Sequence, residues 1–168
     1  MGKKKEEKQE LRNKNVYVRG VLVDAFFGKR TFEKGKDAKD KYRISIKANA
    51  DDMAALAEAA APYYEDTEEK WMPKWLTDSE SREFLNLASN YDIKAGYKNP
   101  ETGNIDELGY LNDYIVDNGN INGSKIVIML TLKAGAIYPA SILIKELKTA
   151  TIADMFAGFE DNDELPFV

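Results

Sequence analysis

Between Tyr17 and Lys47 the chain brings cations and flat side chains close together. Arg19, Lys29, Arg30, Lys34, Lys36, Lys41, Arg43 and Lys47 share this stretch with Tyr17, Phe27 and Phe32. Nonspecific binding of a single-stranded nucleic acid needs this combination: cations track the phosphates, and aromatic faces accept stacked bases at roughly 1 to 3 kcal/mol each. Lys94, Tyr97 and Lys98 extend the set if their strand lies beside the basic one. A second pattern stands at the far end. Glu160, Asp161, Asp163 and Glu164 precede Leu165, Pro166 and Phe167, so charge that imitates a polyanion is followed by an apolar anchor suited to a partner's pocket.

Other chemistry is narrowed by what is missing. The chain has no His and no Cys, which excludes zinc sites, disulfides, thiol nucleophiles and imidazole bases. The carboxylate pairs Asp51-Asp52, Glu65-Asp66 and Glu68-Glu69 could hold Mg²⁺ as in a nuclease. They fall at a helix start and in a linker, where the helix dipole or solvation accounts for them. The segment 118–123 resembles half a calcium loop, but its leading position is Asn118 and its twelfth would be Met129. No cofactor is therefore expected.

The formal charge of −5 hides a division. Residues 1–50 hold 15 Lys/Arg against 7 Asp/Glu, a net of +8, and residues 51–168 hold 9 against 22, a net of −13. Such asymmetry predicts a polyanion-binding surface with an acidic appendage. No run of 18 apolar residues and no apolar leader stands in the sequence, so the expected location is cytoplasmic, without a membrane partner.

The elements that must position these residues follow from periodicity. Residues 16–27 are β-branched and aromatic, which predicts a long strand bent or bulged near Gly20. Residues 41–48 alternate, with Tyr42, Ile44, Ile46 and Ala48 on one face and Lys41, Arg43, Ser45 and Lys47 on the other, solvent-facing side. Residues 49–64 switch to helical spacing through Met53, Leu56, Ala57 and Ala60, behind an Asn/Asp cap signal. Thr77 and Glu80 suggest a capping box for a short helix carrying Phe84, Leu85, Leu87 and Ala88. A third strand is expected over 91–97, a long excursion with one short element of its own among Tyr110, Leu111, Tyr114 and Ile115 over 98–124, and a central hairpin over 125–133 and 140–148, with Pro139 at the start of its second strand.

Five strands with a helical insertion between the second and third predict a mainly β protein, an oligonucleotide-binding-fold-like barrel closed to protect its edges. The expected organisation is a charged arm over 1–14, the barrel over 15–152 and an acidic tail over 153–168, disordered in the free protein. An open sheet packed on helices is the alternative.

The ending Glu160-Asp161-Asn162-Asp163-Glu164-Leu165-Pro166-Phe167 resembles the acidic tip of bacterial and phage single-stranded DNA-binding proteins. The segment Ile121-Asn122-Gly123-Ser124-Lys125-Ile126-Val127 resembles the phage replication members of that group. The resemblance implies a barrel that coats single-stranded DNA without sequence preference, and a tail that recruits polymerase, primase or helicase and competes with DNA for the basic groove. It leaves monomer and homodimer open. Val168 departs from the family's usual terminal Phe. The resulting expectation is a DNA-binding protein that catalyses no reaction; its rivals are a small Mg-dependent nuclease or resolvase and an acidic adaptor without DNA affinity.

Overall fold

The computed structural model describes residues 11–29 and 39–149. Its secondary structure is mainly β. In chain order the strands are β1 (Lys14–Gly28), β2 (Lys41–Ala48), β3 (Phe84–Ser89), β4 (Lys94–Lys98), β5 (Ile105–Tyr110), β6 (Lys125–Lys133) and β7 (Ala136–Glu146). The helices are α1 (Ala50–Ala60), α2 (Lys74–Thr77) and α3 (Leu111–Asn118), with short 3₁₀ turns at Ala61–Tyr64, Glu69–Trp71 and Ser79–Ser81. No helix among the described residues is long and apolar enough to cross a membrane.

The strands form one seven-stranded sheet in the order β3-β2-β1-β6-β7-β4-β5. Every neighbouring pair is antiparallel except β4 and β7, which run parallel. The expected closed five-stranded barrel is thus corrected: the sheet has two more strands, and its end strands β3 and β5 share no ladder. The stretch 98–124, expected to hold one short element, holds two. It supplies β5 and α3, because Ile105 to Tyr110 pairs with β4 and Leu111 buries itself at the start of the helix.

One face of the sheet is the core. Val18 and Leu22 of β1, Ile44 and Ile46 of β2, Leu85 and Leu87 of β3, Ile126, Ile128, Leu130 and Leu132 of β6, and Ile142 and Ile144 of β7 are buried together. Fully burying each such side chain is worth about 1.5 to 3 kcal/mol. Helix α1 covers this face through Met53, Leu56, Ala57 and Ala60. Its start is fixed by Asn49, whose side chain accepts from the Asp52 amide at 3.1 Å.

Several sequence expectations shift in detail. The irregularity expected in β1 near Gly20 lies between Leu22 and Asp24. There the Leu22 amide donates to the Ser124 carbonyl at 2.9 Å, and the Gly123 amide donates to the Leu22 carbonyl at 2.7 Å. Gly20 instead permits close approach: a Cβ there would lie 2.5 Å from Ile46 Cγ2 and from the Lys47 carbonyl. Residues 84–89 form a strand, not the expected helix, because Leu85 and Leu87 point inward with period two. Pro139 sits inside β7 beside the irregularity at Met129/Leu130, where a bulge relieves the missing donor.

The 90–93 turn between β3 and β4 is tied to α3. The Asp92 carboxylate accepts from the backbone amides of Ile93 at 2.9 Å, Asn112 at 3.0 Å and Asp113 at 3.3 Å. A carboxylate placed there satisfies amides of the helix's first turn that have no partner within the helix.

Candidate nucleic-acid interface

The face opposite the core carries the candidate site. Strand β6 turns Lys125, Val127, Met129, Thr131 and Lys133 away from the core, because every second residue of a strand shares a face. Cross-strand register then assembles rows. Tyr17 pairs with Met129, Met129 with Ser141, Ser141 with Lys94, and Lys94 with Tyr110. The next row runs Arg19, Val127, Leu143, Gly96 and Glu107.

These rows line a groove of about 390 Å³. Its walls include Tyr17, 60% exposed, Tyr110, 47% exposed, and Ile105, 58% exposed. Gly96 keeps the floor low: a Cβ there would come within 2.9 Å of Ile105 Cγ2. Beside this groove, meeting it at Val127, lies a second hollow of about 460 Å³ bordered by Arg19, Lys47, Lys125 and Lys145. Aromatic and cationic side chains therefore adjoin on one surface, with Glu107 as the acidic residue of the groove's lining.

The cations differ in availability. Arg19 meets Asp52 with Nε at 2.8 Å from Oδ2 and Nη2 at 2.9 Å from Oδ1, and its backbone amide donates to the same carboxylate at 2.9 Å. The hydrogen bond from the guanidinium is the main reason the Asp52 carboxyl lies below its usual range and Arg19 above its own. Lys47 lies 3.9 Å from Glu83, and Lys125 lies 3.1 Å from Glu146. Those pairs are exposed and readily exchanged for phosphate. Lys94 and Lys145 form no ion pair among the described residues.

Of the residues singled out from sequence, Tyr17, Arg19, Lys47 and Lys94 come together here. Phe27, Lys29 and Lys41 lie at the other end of the β1–β2 ladder, about 20 Å along β2 from Lys47 at roughly 3.3 Å per residue. There Phe27 rests on Tyr42 with ring centroids 4.7 Å apart. Arg43 is a correction: it is only 6% exposed, and its Nε donates to the Gly28 carbonyl at 2.9 Å and its Nη2 to the Lys39 carbonyl at 3.2 Å. By alternation it shares the side of β2 that carries Lys41 and Lys47, but its guanidinium is folded onto the ends of the β1–β2 connection, which it fastens, and is not presented to solvent. Tyr97 is half-buried beside Ile144. Lys98 donates to the Gly103 carbonyl at 2.7 Å, bracing the β4–β5 connection. Arg30, Phe32, Lys34 and Lys36, and the tail residues Glu160, Asp161, Asp163, Glu164, Leu165, Pro166 and Phe167, lie outside the described residues.

Sequence reading missed Lys125, Lys145, Tyr110, Met129 and Leu143. The period-two spacing of Lys125, Val127, Met129, Thr131 and Lys133 was the available signal. It was masked because both faces of β6 are rich in apolar residues, so the strand reads as buried on both sides. Among the described residues no three carboxylates gather as a metal site would require. The sequence matches no protein-family model and none of the curated proteins with which it was compared.

Proposed function

We propose that this protein binds single-stranded DNA without sequence preference across the outer face of β1, β6, β7 and β4, coats and protects it during replication or recombination, and catalyses no reaction. The observation that carries the reading is the row Tyr17, Met129, Ser141, Lys94 and Tyr110 lying against the cluster Lys47, Lys125 and Lys145. Exposed aromatic and apolar side chains offer stacking surface, and the adjoining cations offer phosphate contacts; together they suit a flexible strand with unstacked bases.

The strand connections support an oligonucleotide-binding architecture for this function. Strand β1 pairs with both β2 and β6, and β3 also packs against β7. Counted as one strand interrupted at the 90–93 turn, β3 and β4 would carry the path from β2 to β7, and from there through β6 back to β1. On that count the sheet, which is not closed by hydrogen bonds, would correspond to a partly open five-stranded barrel with β5 as an added flange. The acidic residues 160–164 with Leu165-Pro166-Phe167 fit the accompanying role of recruiting replication proteins.

The test is a titration with oligo(dT) at several salt concentrations. Four to six cations contacting phosphates give a slope of log K against log salt of roughly −3 to −4. A flat response overturns the reading. Deleting residues 160–168 tightens binding by removing like charge, and unchanged affinity removes the tail from the DNA-binding account.

A further inference from the structure

The outer face does not end at the groove beside Tyr17. Beyond it, between the β6–β7 hairpin and the 90–93 turn, lies another hollow of about 490 Å³. Tyr91 stands at its edge on the turn and is 80% exposed; Tyr138 of β7 stands at its edge on the hairpin and is 45% exposed. Lys133 Nζ lies 5.3 Å from the Tyr138 ring centroid. Neither tyrosine ring contacts another aromatic ring among the described residues. Tyr91 is poorly explained by packing, since it keeps much of its flat surface in water, and Tyr138, with Lys133 over its ring, still leaves nearly half of its surface exposed.

We propose that this hollow is a second base-stacking subsite for the same single strand, which runs lengthwise along β6 from Lys125 to Lys133. The inference rests on the single-stranded DNA reading above. Continuity carries it. Tyr138 pairs with Thr131, the outer-face position next after Met129, and Tyr91, Asp92 and Ile93 lead directly into Lys94. The two hollows are therefore bordered by successive residues, Ala140 and Ser141 along β7 and Ile93 and Lys94 at the start of β4. Charge agrees with this occupant: Lys125 and Lys133 mark the two ends of β6, and the Asp92 carboxylate is turned to the amides of α3.

The geometry sets a length. From Lys125 to Lys133 is eight residue steps, about 27 Å at roughly 3.4 Å per residue. At a spacing of about 3.4 Å per stacked nucleotide, that path takes up to about eight nucleotides, of which the stretch ending at Met129 takes about four.

A length ladder from dT4 to dT12 tests this, with Kd measured for the full chain and for the double variant Tyr91→Ala/Tyr138→Ala. In the unaltered protein affinity rises steeply to about eight nucleotides and then flattens. In the double variant it flattens near four, so that dT8 binds roughly tenfold to a hundredfold more weakly while dT4 is unchanged, the loss expected for one or two stacked bases. Tyr91→Phe/Tyr138→Phe keeps both rings and restores the longer footprint, which separates stacking from any loss of fold in the alanine variant. An unchanged ladder in the alanine variant, alongside weaker binding by Tyr17→Ala, overturns the second subsite and leaves the DNA-binding reading intact. Failure of the unaltered protein to bind any member of the ladder overturns both.

Discussion

Arg43 and Lys94 are both cations on strands of the same sheet, and both have the residue type a phosphate contact needs. Arg43 is nearly buried, with its guanidinium on the Gly28 and Lys39 carbonyls. Lys94 is exposed between Ser141 and Tyr110, without an ion pair among the described residues. The β1–β2 half of the sheet spends much of its positive charge on its own structure, as Arg19 on Asp52 also illustrates. The β6–β7–β4 half leaves Lys94 and Lys145 without an ion pair among the described residues and sets Lys94 beside the exposed Tyr110. A net of +8 in residues 1–50 is thus a poor guide to where a polyanion would lie, because tertiary partners decide which charges are available.

The largest effect that would separate the two halves is expected at Arg43. Arg43→Ala removes at least two charge-assisted hydrogen bonds and leaves carbonyls at the ends of the β1–β2 connection without their donor, a loss of about 2 to 4 kcal/mol in urea denaturation. The oligo(dT) affinity of the folded variant should stay within about twofold of the unaltered protein. An affinity loss as large as that of an outer-face variant would erase the distinction between the halves.

Next in size is the aromatic row. Tyr17→Ala and Tyr110→Ala each remove an exposed ring from the groove, so each should weaken oligo(dT) binding by roughly tenfold, in the range of one stacked base. Stability should change little, because both side chains are largely solvated. If instead Phe27→Ala produces the tenfold loss and the two tyrosine variants do not, the binding surface belongs to the other end of the β1–β2 ladder.

Much of the framework was legible in the sequence. Period-two alternation marked β2, and β6 was bounded correctly by its two lysines. The Asn49 cap and the Met53, Leu56, Ala57, Ala60 spacing marked α1. Residues 84–89 were misread because Phe84, Leu85, Leu87 and Ala88 satisfy helical spacing as well as alternation, and only pairing with β2 decides between them. Strand β5 was illegible for a related reason: among Asn, Asp and Gly its identity comes from the β4 ladder, not from its own composition. The site was half legible. Residue type singled out Tyr17, Arg19, Lys47 and Lys94 as candidates, but long-range register was needed to bring Lys125, Lys145 and Tyr110 to them, and tertiary contacts to withdraw Arg43 from solvent.

A smaller effect tests whether Lys94 and Lys145, which form no ion pair among the described residues, carry the electrostatics. Lys94→Ala/Lys145→Ala should make the salt slope shallower by about 1.4, since each phosphate contact on a single strand contributes about 0.7. A change confined to affinity at one salt, with the slope intact, would mean that these lysines lie off the phosphate path.

The smallest effect concerns turning a consumed cation into an available one. The hydrogen bond from Arg19 holds the Asp52 carboxyl below its usual range, so Asp52 binds fewer protons in the folded chain than in the unfolded chain near the unfolded value of about 3.9. The stability from this pair is therefore fully present above the unfolded value. It fades as the pH falls from there through the lower folded value. Asp52→Asn removes that acid-sensitive component, so its urea midpoint should fall less than that of the unaltered protein over the same window. The same substitution leaves the Arg19 guanidinium without its carboxylate while keeping an amide oxygen to accept from it. At neutral pH the salt slope should then steepen by up to about 0.7, one phosphate contact. A parallel acid response in the two proteins would show that the pair does not hold the strand to the helix. A shallower slope would show that Asp52 orients Arg19 toward the phosphates and does not withhold it from them.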